Sequence, residues 1–199
     1  MILCVSGADG CGKTTLVAGL ARALPGACVV TIWDLMADPA ASPIFANKAQ
    51  LQTFLGCLAP ESRSLFLMSC LKAAMERAAS PVVLVDSYWY KYVANEIALG
   101  GEPARLQALV GFFTAPSLVL RVDLPPVLAA ERKRGVYSPY ECGLRAPTTE
   151  HFVEFQTRTT SIVRSLIEAD CPHVITLDGT EPVAGLLAQA LAHVARVRG

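Results

Sequence analysis

The sequence predicts an α/β fold: one five-stranded parallel sheet with helices on both faces and a small lid. Three observations predict it. Short, β-branched, nearly continuous apolar runs recur along the chain, as strands buried on both faces require. Longer segments of helical periodicity separate them, and strands alternating with helices form parallel sheets through crossover connections. A glycine-rich loop joins the first apolar run to the first helical segment. The chain has 199 residues, 53% of them hydrophobic and 17% charged. That suits one domain with a sizeable core. We read residues 1–199 as that domain, with a lid segment at about 132–147.

The strand candidates, in order, are Ile2–Val5, Cys28–Ile32, Val82–Asp86, Leu118–Asp123 and His173–Leu177. Each ends in polar or glycine punctuation. Between them lie helical candidates at Lys13–Ala23, Glu61–Ala79, Lys91–Leu99, Pro103–Phe113, Pro125–Arg134, Pro147–Ala169 and Glu181–Arg196. Several begin on proline, whose missing N–H has no partner to lose in a first helical turn. Two segments fit neither pattern: Leu35–Asn47, with Pro39 and Pro43, and Gly135–Ala146. Ligands of open α/β sheets sit at the carboxyl ends of strands, so irregular segments there are expected to be substrate loops or lids.

Composition narrows the function. Lysine plus arginine equals aspartate plus glutamate at 17 each, so no cationic face for duplex nucleic acid is expected. No apolar run is long enough to span a membrane, and the N-terminus lacks a basic leader region. Seven cysteines, with no C-x-x-C pair, argue against a disulfide framework or zinc site and for a reducing, cytoplasmic compartment. The three histidines are scattered without ligand spacing. The C-terminal helix is amphipathic and ends in basic residues, as a helix docked on a sheet does.

The loop carries the chemistry. Gly7-x-x-x-x-Gly12-Lys13-Thr14 follows a predicted strand and opens a predicted helix, the context that a nucleoside triphosphate-binding P-loop needs. Glycines let successive backbone N–H groups converge on one anion, and the helix N-terminus adds positive potential. Gly7, Ala8, Asp9, Gly10, Cys11, Gly12, Lys13, Thr14 and Thr15 are therefore expected to hold the nucleotide. Lys13 would reach the terminal phosphates and the Thr14 hydroxyl would ligate Mg²⁺. The fold class becomes a three-layer sandwich of the P-loop NTPase type. The guanine-reading N-K-x-D of GTPases is absent: Asn47-Lys48 is followed by Ala49-Gln50. One domain with a lid suits a kinase, with ATP and Mg²⁺ as cofactors.

The sequence resembles the thymidylate kinase family of P-loop nucleoside monophosphate kinases. "GADGCGKTT" (Gly7–Thr15) is similar to the family's phosphate loop, including its acidic residue at Asp9. "LVLRVDLPPVLAAERKRG" (Leu118–Gly135) resembles the fourth strand and the helix entering the lid, "FVEFQTRTTSIV" (Phe152–Val163) the helix after it, and "VITLDGTEPVAGL" the last strand with the adenine-packing loop. The resemblance implies transfer of the ATP γ-phosphoryl to a nucleoside monophosphate, a nucleotide acceptor of dTMP type. It implies Asp9 and Asp86 as organisers of acceptor and metal, with Asp86 and Thr14 on the metal, and commonly a homodimer. Gly10 stands where some members carry a loop arginine. The lid arginines Arg132 or Arg134 are then expected to act on the transferring phosphoryl.

The acceptor side departs from the family. D-R-Y becomes Asp86-Ser87-Tyr88, with Lys91 close behind; it would supply the lost charge or lie exposed. The arginine-bearing loop after the second strand becomes Thr31-Ile32-Trp33-Asp34. Asp34 would accept a hydrogen bond from sugar or base, and Trp33 would either stack on a base or fill the core. "LFLMSCL" (Leu65–Leu71) aligns with the family's base-reading helix, keeping Phe66 and placing Cys70 at the arginine position. Tyr88, Tyr90 and Tyr92 either line the acceptor pocket or pack the strand–helix junction. The substrate candidates are thus Asp34, Phe66, Cys70, Asp86, Tyr88 and Lys91. So rewritten a pocket also admits a modified pyrimidine nucleotide, a nucleoside or another small hydroxyl acceptor, because polar readout carries most discrimination. A nucleotide-binding regulatory module without catalysis is the remaining alternative.

Overall fold

A computed structural model of the chain describes residues 1–37 and 47–198. Five parallel strands form one sheet in the order β2-β3-β1-β4-β5. They are β1 (Ile2–Gly7), β2 (Ala27–Val30), β3 (Val82–Asp86), β4 (Leu118–Asp123) and β5 (Val174–Asp178). The sheet is the α/β arrangement that the sequence predicts, with ends shifted by a residue or two. β1 is central, pairing Val5 with Asp86 on one side and Gly7 with Val122 on the other. The loop leaving β1 therefore sits where the strand order reverses, the position at which such sheets bind ligands.

The helices are α1 (Lys13–Ala23), α2 (Asp34–Ala37), α3 (Lys48–Gly56), α4 (Pro60–Arg77), α5 (Trp89–Ala98), α6 (Pro103–Ala108), α7 (Pro126–Lys133), α8 (Thr149–Asp170) and α9 (Val183–Arg198). The predicted helix Pro103–Phe113 divides: α6 gives way to a 3-10 turn, Leu109–Phe112, where Val110 and Gly111 weaken helical propensity. α3 lies just past the segment read as irregular. Asn47 caps it, accepting from Gln50 N–H at 3.0 Å, a start signal of the usual kind. Most of Leu35–Asn47 itself lies outside the described residues.

Alternation along the buried strands splits the core in two. Cys4, Val85 and Val119 face α3, α4, α5 and α8; Leu3, Val5, Leu84 and Leu120 face α1, α7 and α9. Burying one such leucine contributes about 1.5–3 kcal/mol. An exposed pair such as Lys72–Glu76, 2.9 Å apart, contributes about 1 kcal/mol at most. Apolar packing therefore holds the layers. The lid segment is ordered around a second 3-10 turn, Pro139–Cys142, whose Ser138 and Glu141 side chains cap each other's backbone N–H groups. Among the described residues no helix is long and apolar enough to cross a membrane.

Candidate active site

The loop from β1 to α1 has the predicted form. Gly12 begins α1 at φ 99°, a left-handed conformation that glycine adopts without a Cβ penalty. A Cβ on Gly7 would lie 2.5 Å from the Val122 carbonyl oxygen, so the loop base packs against β4 only because position 7 has no side chain. Cys11 is 1% exposed and joins the α1-side core. It packs the loop onto that core.

Five of the predicted polar residues meet here. Lys13 is buried; its Nζ donates to the carbonyls of Gly7 (3.0 Å) and Ala8 (2.7 Å) and lies 3.7 Å from Asp9 Oδ1. Lys91, in the first turn of α5, donates to the same carboxylate oxygen at 2.5 Å. Burial opposes ionisation of Asp9, but Lys91 and Lys13 outweigh it and hold its pKa well below the usual carboxylate range. For Lys13, burial likewise opposes the charge, and Cys11, Asp9 and Asp86 more than restore it, so its pKa is raised. Thr14 Oγ1 donates to Asp86 Oδ2 at 2.7 Å, joining the first turn of α1 to the end of β3. Thr15 is exposed beside it. Ser87, the next residue after Asp86, has φ 63°, a strained conformation for a residue with a side chain.

The lid cations divide. Arg132 donates to the carbonyls of Gly179 (2.8 Å) and Cys11 (3.4 Å), tying the phosphate loop to the loop after β5. Arg134 ends α7 in a left-handed conformation, φ 51°, and is exposed. Lys133, between them, pairs with Glu141 at 2.8 Å.

The other acceptor-side candidates lie elsewhere. Asp34 spends its carboxylate on Thr31, accepting from the backbone N–H (2.7 Å) and the hydroxyl (3.1 Å). Phe66 meets Phe54 edge to face, ring centres 5.4 Å apart. Cys70 is 6% exposed in the α4–α5 core, and burial pushes its thiol up to about 11. Tyr88 is fully buried, donates to the Thr114 carbonyl at 2.8 Å and packs on Phe113; burial raises its phenol pKa. Tyr90 and Tyr92 are buried in the same core, and Tyr90 bonds Asp170. Trp33 packs at the edge of that core.

Three polar features carried no sequence signal. Gln156 on α8 accepts from the Asp9 N–H at 2.9 Å and donates to the Glu141 carbonyl at 3.1 Å. Arg63 and Glu96, 33 residues apart, form a buried pair at 2.8 Å, and Tyr140 of the lid donates to Glu96 at 2.8 Å. Burial raises the Glu96 pKa, and bonds from Tyr140 and Arg63 pull it partly back. Arg121 of β4, with Lys91 and Gln156, lines a cavity of about 20 Å³ behind the loop. That is room for a single water.

The fold is one that solved nucleotide kinases share. The thymidylate kinase of Candida albicans matches with a TM-score of 0.68, covering 99% of this chain and 92% of that one at 13% identity. A deoxyadenosine kinase from M. mycoides with dCMP and dCDP bound also gives 0.68, covering 99% and 100% at 10% identity. At those identities the likeness is one of fold. The sequence relatives carry the assignment further. A thymidylate kinase of Xylella fastidiosa strain 9a5c is 27% identical over 204 aligned positions, 99% of this chain and 91% of the relative. One from Xanthomonas campestris pv. campestris strain B100 is 31% identical over 145 residues, 68% of this chain but only 62% of the relative. Against the Xylella fastidiosa Temecula1 enzyme the match spans 65% of the relative's length. No family model matches the chain. The sequence relatives, all thymidylate kinases, support that family for this chain, and the solved structures support its fold.

Proposed function

We propose that this chain transfers the γ-phosphoryl group of ATP, with Mg²⁺, to a nucleotide acceptor, in first place a dTMP-like deoxypyrimidine monophosphate. The bond between Thr14 Oγ1 and Asp86 Oδ2 at the mouth of the loop carries this reading. It brings a hydroxyl and a carboxylate oxygen to one place. Hard oxygens of this kind suit Mg²⁺, which completes its shell with water and phosphate oxygens rather than with a protein cage. The missing cluster of three or more acidic, histidine or cysteine ligands among the described residues is compatible with such a site. When bound, the ion neutralises charge on the β- and γ-phosphates.

The chain's own residues supply position and charge. Lys13 leaves its loop carbonyls for the terminal phosphates. Asp9, held by Lys91, orients the acceptor. Arg134, exposed at the end of α7, closes on the transferring group, while Arg132 keeps the rim between Cys11 and Gly179 in shape. Cations aimed at developing charge are the largest contribution in such reactions, and a closed lid keeps water from the phosphoryl group. Free thiols at all seven cysteines suit a reducing compartment and hence the cytoplasm.

One observation favours a second acceptor class. Lys91, the cation expected to supply charge on the acceptor side, is already paired with Asp9. A modified pyrimidine nucleotide with fewer phosphate contacts, a nucleoside, or another small hydroxyl compound fits that charge balance better than a phosphate dianion held by several arginines. The test is ADP release across a panel of dTMP, modified deoxypyrimidine monophosphates and deoxynucleosides, with Lys13→Ala as control. Turnover with dTMP that Lys13→Ala abolishes, the variant remaining folded, is the expected result. Inert dTMP with fast turnover of another compound moves the acceptor. Tight ATP binding without transfer to any acceptor makes the chain a regulatory module and ends the kinase reading.

A further inference from the structure

The lid and the phosphate loop meet in one side chain. Gln156 lies two turns into α8 and is 3% exposed. Its Oε1 accepts the backbone N–H of Asp9, and its Nε2 donates to the carbonyl of Glu141 in the lid turn. The amide has one orientation that satisfies both partners: a flip would set donor against donor and acceptor against acceptor. The lid turn is in turn fixed to α7 by the Lys133–Glu141 pair. The Lys133 methylenes lie across Gly10, so close that a Cβ there would approach them to 2.9 Å. Asp9 is thus clamped from both sides, its carboxylate by Lys91 of α5 and its N–H by Gln156 of α8.

We infer that Gln156 is a positioning residue that makes lid closure and the alignment of Asp9 a single event. The inference rests on the kinase reading above. With the lid turn seated, the Glu141 carbonyl holds the amide in the orientation that grips the Asp9 N–H. With the turn displaced, Nε2 loses its acceptor, the amide is released to rotate, and Asp9 loses one of its two clamps. An open lid therefore leaves the acceptor-orienting carboxylate misaligned. ATP is then protected from wasteful transfer until the site is shut.

Two substitutions separate the halves of the clamp. Gln156→Met keeps the volume and removes both bonds. Gln156→Glu keeps an acceptor for the Asp9 N–H and sets an oxygen against the Glu141 carbonyl, so only the lid half is lost. Both variants are expected to melt near wild type and to bind ATP with little change in KM. In both, kcat should fall by about 10- to 100-fold, the scale on which small misplacements act, and ATP hydrolysed without acceptor should rise relative to transfer. Amide exchange should quicken at Asp9 and across 135–146 in Gln156→Met, and across 135–146 alone in Gln156→Glu. Unchanged kcat and unchanged exchange in folded variants overturn the inference, as does a loss in Gln156→Met that Gln156→Glu fully restores. If the wild-type chain phosphorylates no acceptor, the kinase reading fails separately, and amide exchange alone decides whether Gln156 couples lid to loop.

Discussion

Asp86, at the end of β3, and Asp9, in the loop after β1, differ in their partners. Asp86 faces the Thr14 hydroxyl, and under the proposed function it serves the metal. Asp86→Asn should therefore shrink the rise in melting temperature that ATP produces with Mg²⁺, by mass action, and leave the smaller rise seen with ATP and EDTA in place. An equal loss with and without Mg²⁺ would remove Asp86 from the metal site. Asp9 is held ionised by two lysines. Its pKa is depressed in the folded state below an unfolded value of about 3.9. Its contribution to stability is thus full above about pH 4 and lost as the pH falls through the folded value. Asp9→Asn should be less stable than wild type at pH 7 in urea titrations, with the gap closing as the pH falls towards about 2. A gap that widens on acidification would contradict the assigned charge state.

The glycine-loop motif was readable at this scale because its pattern is local, contained within the nine consecutive positions Gly7–Thr15. The acceptor residues were not. Cys70 and Tyr88 stand where the family resemblance puts base and phosphate contacts, yet their side chains lie in the α4–α5 core. A helix that packs on a sheet and a helix that reads a ligand show the same apolar spacing.

At the scale of elements, the turn from β3 into α5 stores strain. Ser87 takes φ 63° while its N–H bonds the Val5 carbonyl at 3.1 Å. A left-handed residue with a Cβ costs about 1–2 kcal/mol, and glycine returns about 0.5–1 kcal/mol of that as extra unfolded-state entropy. Ser87→Gly should therefore stabilise the fold by up to about 1 kcal/mol in chemical denaturation. A destabilised variant would mean that the Ser87 hydroxyl, 3.5 Å from Asp86 Oδ1, matters more than the backbone. β1, β3 and β4 were legible as continuous apolar runs, and α8 as a long amphipathic period. The Asn47 cap of α3 was equally present in the sequence, but it follows a proline-rich stretch that reads as loop. The 3-10 turns could not be read, because they arise from tertiary seating of short segments rather than from a repeat.

At the scale of the molecule, Arg63 and Glu96 fasten four pieces. Arg63 also donates to the carbonyls of Leu55 (2.6 Å) and Leu58 (3.0 Å), so one guanidinium reaches α3, α4 and α5, and Tyr140 adds the lid. Removing one partner of a buried pair costs about 3–5 kcal/mol, whereas removing both charges costs much less. Arg63→Met should destabilise by that amount in urea titrations, and Arg63→Met with Glu96→Gln should recover most of it. Equal losses in the single and double variants would show that the guanidinium bonds to Leu55 and Leu58, not the charge pair, hold these helices. Neither residue was readable as a pair, since 33 positions separate them and only the folded helices bring them together. The layer arrangement, by contrast, followed from alternation alone.

The sheet itself has a consequence for quality control of the folded chain. Thr14 and Asp86 are 72 residues apart, and they meet because β3 pairs with β1 in one alignment, Val5 against Asp86. Side chains alternate across a strand, so a slip of one place would swing Asp86 to the opposite face. A mispaired sheet could be compact, helical and spectroscopically unremarkable, and still be blind to nucleotide. Under the proposed function, magnesium-dependent ATP binding would serve as a proofreading signal for preparations of this protein, sensitive to a strand misalignment that circular dichroism would pass.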